Sequence, residues 1–360
     1  MSVTRDPPLL ARYAESLFWM ARYLERVENL ARLLDVTQTF EAPGREDESW
    51  FALVRINADE AGFADRGLAL GADSVKRFYL LDAANPTSIP ASLNAARTNA
   101  RTLRPLISTE MWMQLNVFHR DMTAITPDAL QGDRLSRLCR LLKEGVQTHT
   151  GITEGTFFRD QGWLFYQLGR LIERADQTTR LLDIRYHLLV PAAGEERRVA
   201  ELTQWGAVLR GAAGYHAFRR VAPPGFTPVD VVAFLLADTA FPRSVRLCVE
   251  QMEWLIGQLR GRYGLRGTVS ALERIEELRA ALLGRPVEQI VADGLHQFLD
   301  GIQRDLIMLA AEIGTGFFRD WRPLAAPAEA DGETRTPTQT ATQTQTQTQT
   351  QTQTQSAARA

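Results

Sequence analysis

Cysteine is nearly absent from this 360-residue chain: only Cys139 and Cys248 occur, each alone in an apolar, helix-like run. Two isolated thiols exclude a disulfide framework and read as small buried side chains. Long hydrophobic runs are missing as well, and no stretch approaches the ~18 apolar residues of a membrane span. Met1 to Pro8 is polar and proline-bearing, without the apolar centre of a secretory signal, so the expected setting is the cytoplasm with no membrane partner. An excess of either charge is lacking too. The 41 basic and 43 acidic side chains leave a net charge of −2, so no global field draws the chain to nucleic acid, and none is expected as a partner. Lysine is confined to Lys76 and Lys143; every other basic side chain is arginine. Arginine keeps its proton and pairs with carboxylates in fixed bidentate geometry. A codon bias would give the same skew.

Catalytic and metal-binding patterns are equally scarce. A helical bundle can hold two metals through paired Glu-x-x-His motifs. The residues three before His119, His149, His187, His216 and His296 are Asn116, Val146, Ile184, Ala213 and Asp293, so the motif does not occur. No metal and no cofactor are therefore expected. There is no P-loop, zinc spacing or nucleophile elbow. Glu25 and Glu28 could form a carboxylate pair, but neighbouring arginines would depress both pKa values and make them poor general acids.

What is present is helical periodicity. Apolar residues recur at i, i+3 and i+4 from residue 9 to 322, giving an all-α fold. The pattern predicts helices near 10–40, 48–60, 74–82, 89–107, 109–123 and 128–155. In the second half it predicts 161–190, 196–215, 228–238, 242–262, 270–284 and 286–320. Asn85-Pro86 ends one helix, and Pro223-Pro224-Gly225 makes a turn. Gly62 to Asp73 is glycine-rich and reads as an exposed loop. Residues 325–360, dominated by Thr-Gln alternation, have almost nothing apolar to bury and are expected to be a disordered tail.

The chain also resembles itself. Leu17–Val36 aligns without gaps to Phe165–Ile184, with seven of twenty positions identical, among them Arg22/Arg170, Glu25/Glu173, Arg26/Arg174 and Arg32/Arg180. Phe78–Ile89 matches Phe234–Val245, including Asp82/Asp238, Pro86/Pro242 and Ser88/Ser244. Phe-Phe-Arg-Asp closes both segments, at 157–160 and 317–320. Three collinear matches predict a tandem duplication, with one helical bundle at 10–160 and a second at 161–322, packed together about a pseudo-twofold axis.

On the first long helix, Leu17, Met20, Tyr23, Leu24, Val27, Ala31 and Leu34 share an apolar face. Glu15, Arg22, Glu25, Arg26, Asn29 and Arg32 lie opposite. Phe18, Trp19 and Leu33 fall within or beside that charged stripe, which implies that the stripe is at least half buried and that its charges need partners. The second segment repeats the device with Arg170, Glu173, Arg174, Asp176, Gln177 and Arg180. Two readings follow: an internal salt-bridge network that fixes how the halves dock, or a polar cleft between them that holds a charged ligand or peptide. Arg97, Arg101 and Arg104 share a helix face and could join either.

Four stretches, ARYAESLFWMARYLERVENLARLLD (11–35), LLDAANPTSI (80–89), ARTNARTLRPLISTEMWMQLN (96–116) and GWLFYQLGRLIERADQTTRLLD (162–183), together resemble the bacterial alpha-E domain family. FPRSVRLCVEQM (241–252) fits as well. The resemblance implies an all-helical fold. It also implies association with a circularly permuted ATP-grasp ligase-like protein, and often a transglutaminase-like protein, encoded beside or fused to family members. It supplies no catalytic residues. The expected role is a non-catalytic helical partner or scaffold of a peptide-forming or peptide-modifying system. The alternative is an enzyme acting on an amide or peptide through an Arg/Glu cleft between the halves.

Overall fold

In the computed structural model, residues 9–40, 44, 46–187 and 194–318 are described. They form helices throughout, and no strand occurs among them. The expected tail, and Arg319-Asp320 of the second Phe-Phe-Arg-Asp, lie outside the described residues.

The first half contains α1 (Ala11–Phe40), α2 (Glu46–Ile56), α3 (Glu60–Ala64), α4 (Ala72–Leu80), α5 (Ile89–Thr102), α6 (Thr109–Thr123) and α7 (Asp133–Thr156). The second contains α8 (Gln161–His187), α9 (Gly194–Gly211), α10 (Tyr215–Val221), α11 (Pro228–Ala237), α12 (Val245–Gly261), α13 (Val269–Leu283) and α14 (Val287–Ile313). Local chemistry sets many of the starts. Ser88, Ser108 and Ser244 each accept a hydrogen bond from the backbone N–H three residues on, capping α5, α6 and α12. Thr227 and Asp230 form a reciprocal capping box at α11, with Pro228 in the first turn. Glu46, Asp47 and Glu48 place negative charge at the positive end of α2.

The core is organised around α1 and α8. They run parallel, since neighbours advance in the same sense along both: Leu17 lies beside Gly162, Phe18 beside Gly169, and Glu25 beside Arg174. The approach is closest at Gly169, where a β-carbon would collide with the Phe18 carbonyl oxygen. The remaining helices wrap this pair in a repeating order. α5 and α7 flank α1, while α12 and α14 flank α8. α2 packs on α8, and α9 packs on α1, so each half reaches across to the other's central helix. One continuous hydrophobic cluster joins both halves. Phe18 and Phe165 meet Phe318 at ring separations of 5.5 and 5.8 Å, while Phe157 meets Tyr166 at 6.1 Å.

Several local expectations need correction. Residues 62–73 do not form a loop throughout: α3 crosses Gly62, because Phe63 is anchored in the core between Phe51 and Phe78. The helix Tyr215–Val221 was not expected, and it forms where Phe218 buries against Phe226 and Phe234. The helix expected from 128 starts at Asp133, after a 3-10 turn over Pro127–Leu130. Phe18 and Leu33 join the core, so α1 is apolar on most of its circumference rather than on one face.

Candidate functional site: the ion-paired seam

Where α1 and α8 touch, their charges exchange. Glu173 of α8 accepts from Arg26 through Nε (2.7 Å) and Nη2 (3.1 Å), and from Arg22 Nε (2.9 Å). Glu25 of α1 accepts from Arg174 through Nε (2.9 Å) and Nη2 (2.8 Å). A Glu-Arg dipeptide on each helix therefore clasps its counterpart: Glu25 holds Arg174, and Glu173 holds Arg26. Both carboxylates are almost fully buried, at 3% and 1% exposure. Burial alone would push their pKa values up. The two arginines around each outweigh it, holding Glu173 at about 2 and Glu25 well below the usual carboxylate range.

The network extends outward from this clasp. Arg243, from the loop before α12, donates Nη1 to Glu25 (2.8 Å) and to Asn29 (2.7 Å), and its Nη2 lies 3.0 Å from Glu28. Arg32 pairs with Glu28 one turn away. On the other helix Arg180 Nε donates to Asp176 Oδ2 (2.7 Å), and its Nη1 to the Ile56 carbonyl (2.7 Å). The expected residues Arg22, Glu25, Arg26, Asn29, Arg32, Glu173, Arg174 and Arg180 thus converge. Two do not join them. Arg170 turns toward Glu154 at 3.5 Å, and Glu15 is buried about 15 Å along α1 from Glu25. Arg97 bonds Asn116 and sits over Trp112, so the Arg97–Arg104 face serves α5 and α6 rather than the seam.

A cleft of about 150 Å³ opens on one side of the seam, lined by Arg22, Arg26, Glu173, Asp176, Gln177 and Arg180. Leu30, Ile172, Leu306 and Ile307 supply apolar wall, and Asn57 and Thr87 close the far side. Thr87 and Tyr79 donate to Asp59 at 2.7 and 2.9 Å, and burial raises the Asp59 pKa in spite of both bonds. Sequence reasoning passed over Arg243, Asn57, Asp59 and Thr87. For Arg243 the signal was present: it sits inside the matched Phe78–Ile89/Phe234–Val245 segment, at the position opposite Thr87.

Among the described residues, Asp183, His296 and Asp300 form the one group of potential metal ligands. His296 Nδ1 is 2.7 Å from Asp183, and its Nε2 is 3.6 Å from Asp300. One ligand atom from each of the three lies within 4.8 Å of the others, and the contact with Asp183 is a hydrogen bond. Asp293, three residues before His296, lies near Arg285.

Residues 9–318 match the family Alpha-E, described as "A predicted alpha-helical domain with a conserved ER motif". The chain belongs to the Alpha-E family. Uncharacterized proteins of Mycobacterium bovis and Mycobacterium tuberculosis are 29% identical, over 82% of this chain and 35% of theirs. A further Mycobacterium tuberculosis relative is 28% identical over the same shares. The chain therefore spans about a third of the length of these mycobacterial relatives. No solved structure matches. In this Alpha-E chain no described helix is long and apolar enough to cross a membrane.

Proposed function

We propose that the chain is a non-catalytic helical partner that positions an ATP-grasp-type ligase, or presents its peptide substrate, in the cytoplasm. The observation that carries this reading is the saturation of the two central carboxylates. Glu25 and Glu173 each take two arginines at hydrogen-bond distance, so both remain carboxylates at neutral pH and neither has a proton to give. The enzymatic alternative needs one of them as a general acid or base, with a pKa near the working pH. A clasp of this kind fixes the register of two long helices and makes a rigid body, which suits a docking platform. The additional length of the mycobacterial relatives leaves room for a fused partner. A cytoplasmic setting agrees with two cysteines that are both buried and free. We also read the two halves as a duplication. Matched serines cap α5 and α12, matched Asp82 and Asp238 each accept a backbone N–H two residues on, and the flanking helices recur in order.

Co-expression with a circularly permuted ATP-grasp ligase-like protein, the partner that the family resemblance implies, tests the proposal. A complex that survives gel filtration, with ligase turnover altered on addition of the chain, is the expected result. Separate elution with unchanged turnover refutes it.

A further inference from the structure

The two sides of the seam are filled differently: Arg243 packs against the α1 carboxylates, and its match Thr87 does not reach those of α8. At 148 residues' separation, Glu25, Glu28, Asn29 and Arg32 correspond to Glu173, Asp176, Gln177 and Arg180. On the α1 side the Arg243 guanidinium fills the corner, bonded to Glu25, Asn29 and Glu28, and a void of only about 10 Å³ remains beside it. On the α8 side the position matched to Arg243 is Thr87, whose hydroxyl is turned to Asp59 and Asn85. The short Thr87 side chain leaves the corner unfilled, and there the 150 Å³ cleft opens between Arg22, Arg26 and Arg180.

Of the three residues opposite the partners of Arg243, Glu173 is held by Arg22 and Arg26, and Asp176 and Gln177 keep polar atoms without a protein partner. Asp176 Oδ1 is buried with no hydrogen-bond partner. The Gln177 side chain, nine-tenths buried, opens its amide to the same cleft. Both line the cleft. In native proteins such groups are nearly always satisfied, by protein, water or a ligand. The same cleft offers unused donors: Arg22 commits only Nε to Glu173, and Arg26 only Nε and Nη2. Three arginines against two carboxylates leave the lining at +1, so a lone cation is disfavoured there and an anion alone leaves Asp176 unanswered.

We propose that this cleft binds a short guanidino carboxylic acid. Its guanidinium takes the place that Arg243 fills on the other side, donating to Asp176 Oδ1 and Gln177. Its carboxylate accepts from the free Nη groups of Arg22 and Arg26, and its methylenes lie against Leu30, Ile172 and Leu306. At about 150 Å³ the space is below the ~300–1,000 Å³ of clefts for drug-sized ligands, which fits a molecule of this length. The site stands on the cleft lining and not on the ligase partnership, and its test uses the chain alone.

Titration calorimetry with 3-guanidinopropionate decides it. Ethylguanidine lacks the carboxylate and butyrate lacks the cation; each is expected to bind at least tenfold more weakly. Thr87→Arg supplies the missing guanidinium from within and is expected to abolish binding while raising the thermal midpoint. Ile307→Trp, at an exposed rim position, blocks entry without touching the core and is expected to abolish binding with the midpoint unchanged. If Thr87→Arg does not fold, Ile307→Trp carries the comparison. No binding of 3-guanidinopropionate to the wild type, equal binding of butyrate, or binding retained in Ile307→Trp would overturn the proposal.

Discussion

Replacing Glu173 by glutamine keeps the shape of the side chain and removes its charge. Arg22 and Arg26 then face an amide in place of the carboxylate, with water able to reach them only from the cleft side. The magnitude follows from the depressed pKa. A shift from 4.5 to about 2 corresponds to roughly 3 kcal/mol of stability carried by the ionised form. The independent expectation for removing one partner of a buried ion pair is ~3–5 kcal/mol, in the same range. The sign is fixed by the direction of the shift. The folded-state pKa lies below the unfolded one, so the contribution is complete above about pH 4.5 and is lost as pH falls toward about 2. Urea unfolding of wild type and Glu173→Gln at pH 7 should therefore differ by roughly 3 kcal/mol, and by less than half of that at pH 3. A gap below ~1 kcal/mol at pH 7, or one that does not shrink with acid, would show that the clasp is not the structural element described.

Two further outcomes are expected. Gly169→Ala should destabilise the fold by ~1–3 kcal/mol in the same unfolding assay, although alanine favours a helix over glycine by ~1 kcal/mol, because its methyl collides with the Phe18 carbonyl; a stabilised variant would mean that the helices are further apart. Cys139 and Cys248, buried with pKa values pushed up to about 12 and about 11, should resist a thiol reagent at pH 8 until denaturant is added, as read by the absorbance of the released thiolate.

The helical class and most helix starts were legible because capping and periodicity are local. Ser88, Ser108 and Ser244 announce their helices within three residues. The burial of the charged stripe was legible from Phe18, Trp19 and Leu33 lying among charges. The helix Tyr215–Val221 was not: it depends on Phe218 finding Phe226 and Phe234, which no window of seven residues contains.

The sequence by itself determined that two long, arginine- and glutamate-bearing helices exist and that their charges cannot all face water. Only the tertiary structure decided the pairing. Glu25 has Arg22, Arg26 and Arg32 on its own helix, yet it takes Arg174 and Arg243 from 149 and 218 residues away. The reason is geometric. Neighbours one turn apart point along the helix surface, whereas a parallel helix at close contact presents a planar guanidinium head-on to a buried carboxylate. The same contact geometry, with Thr87 where its match is Arg243, sets which corner is filled and which is left open.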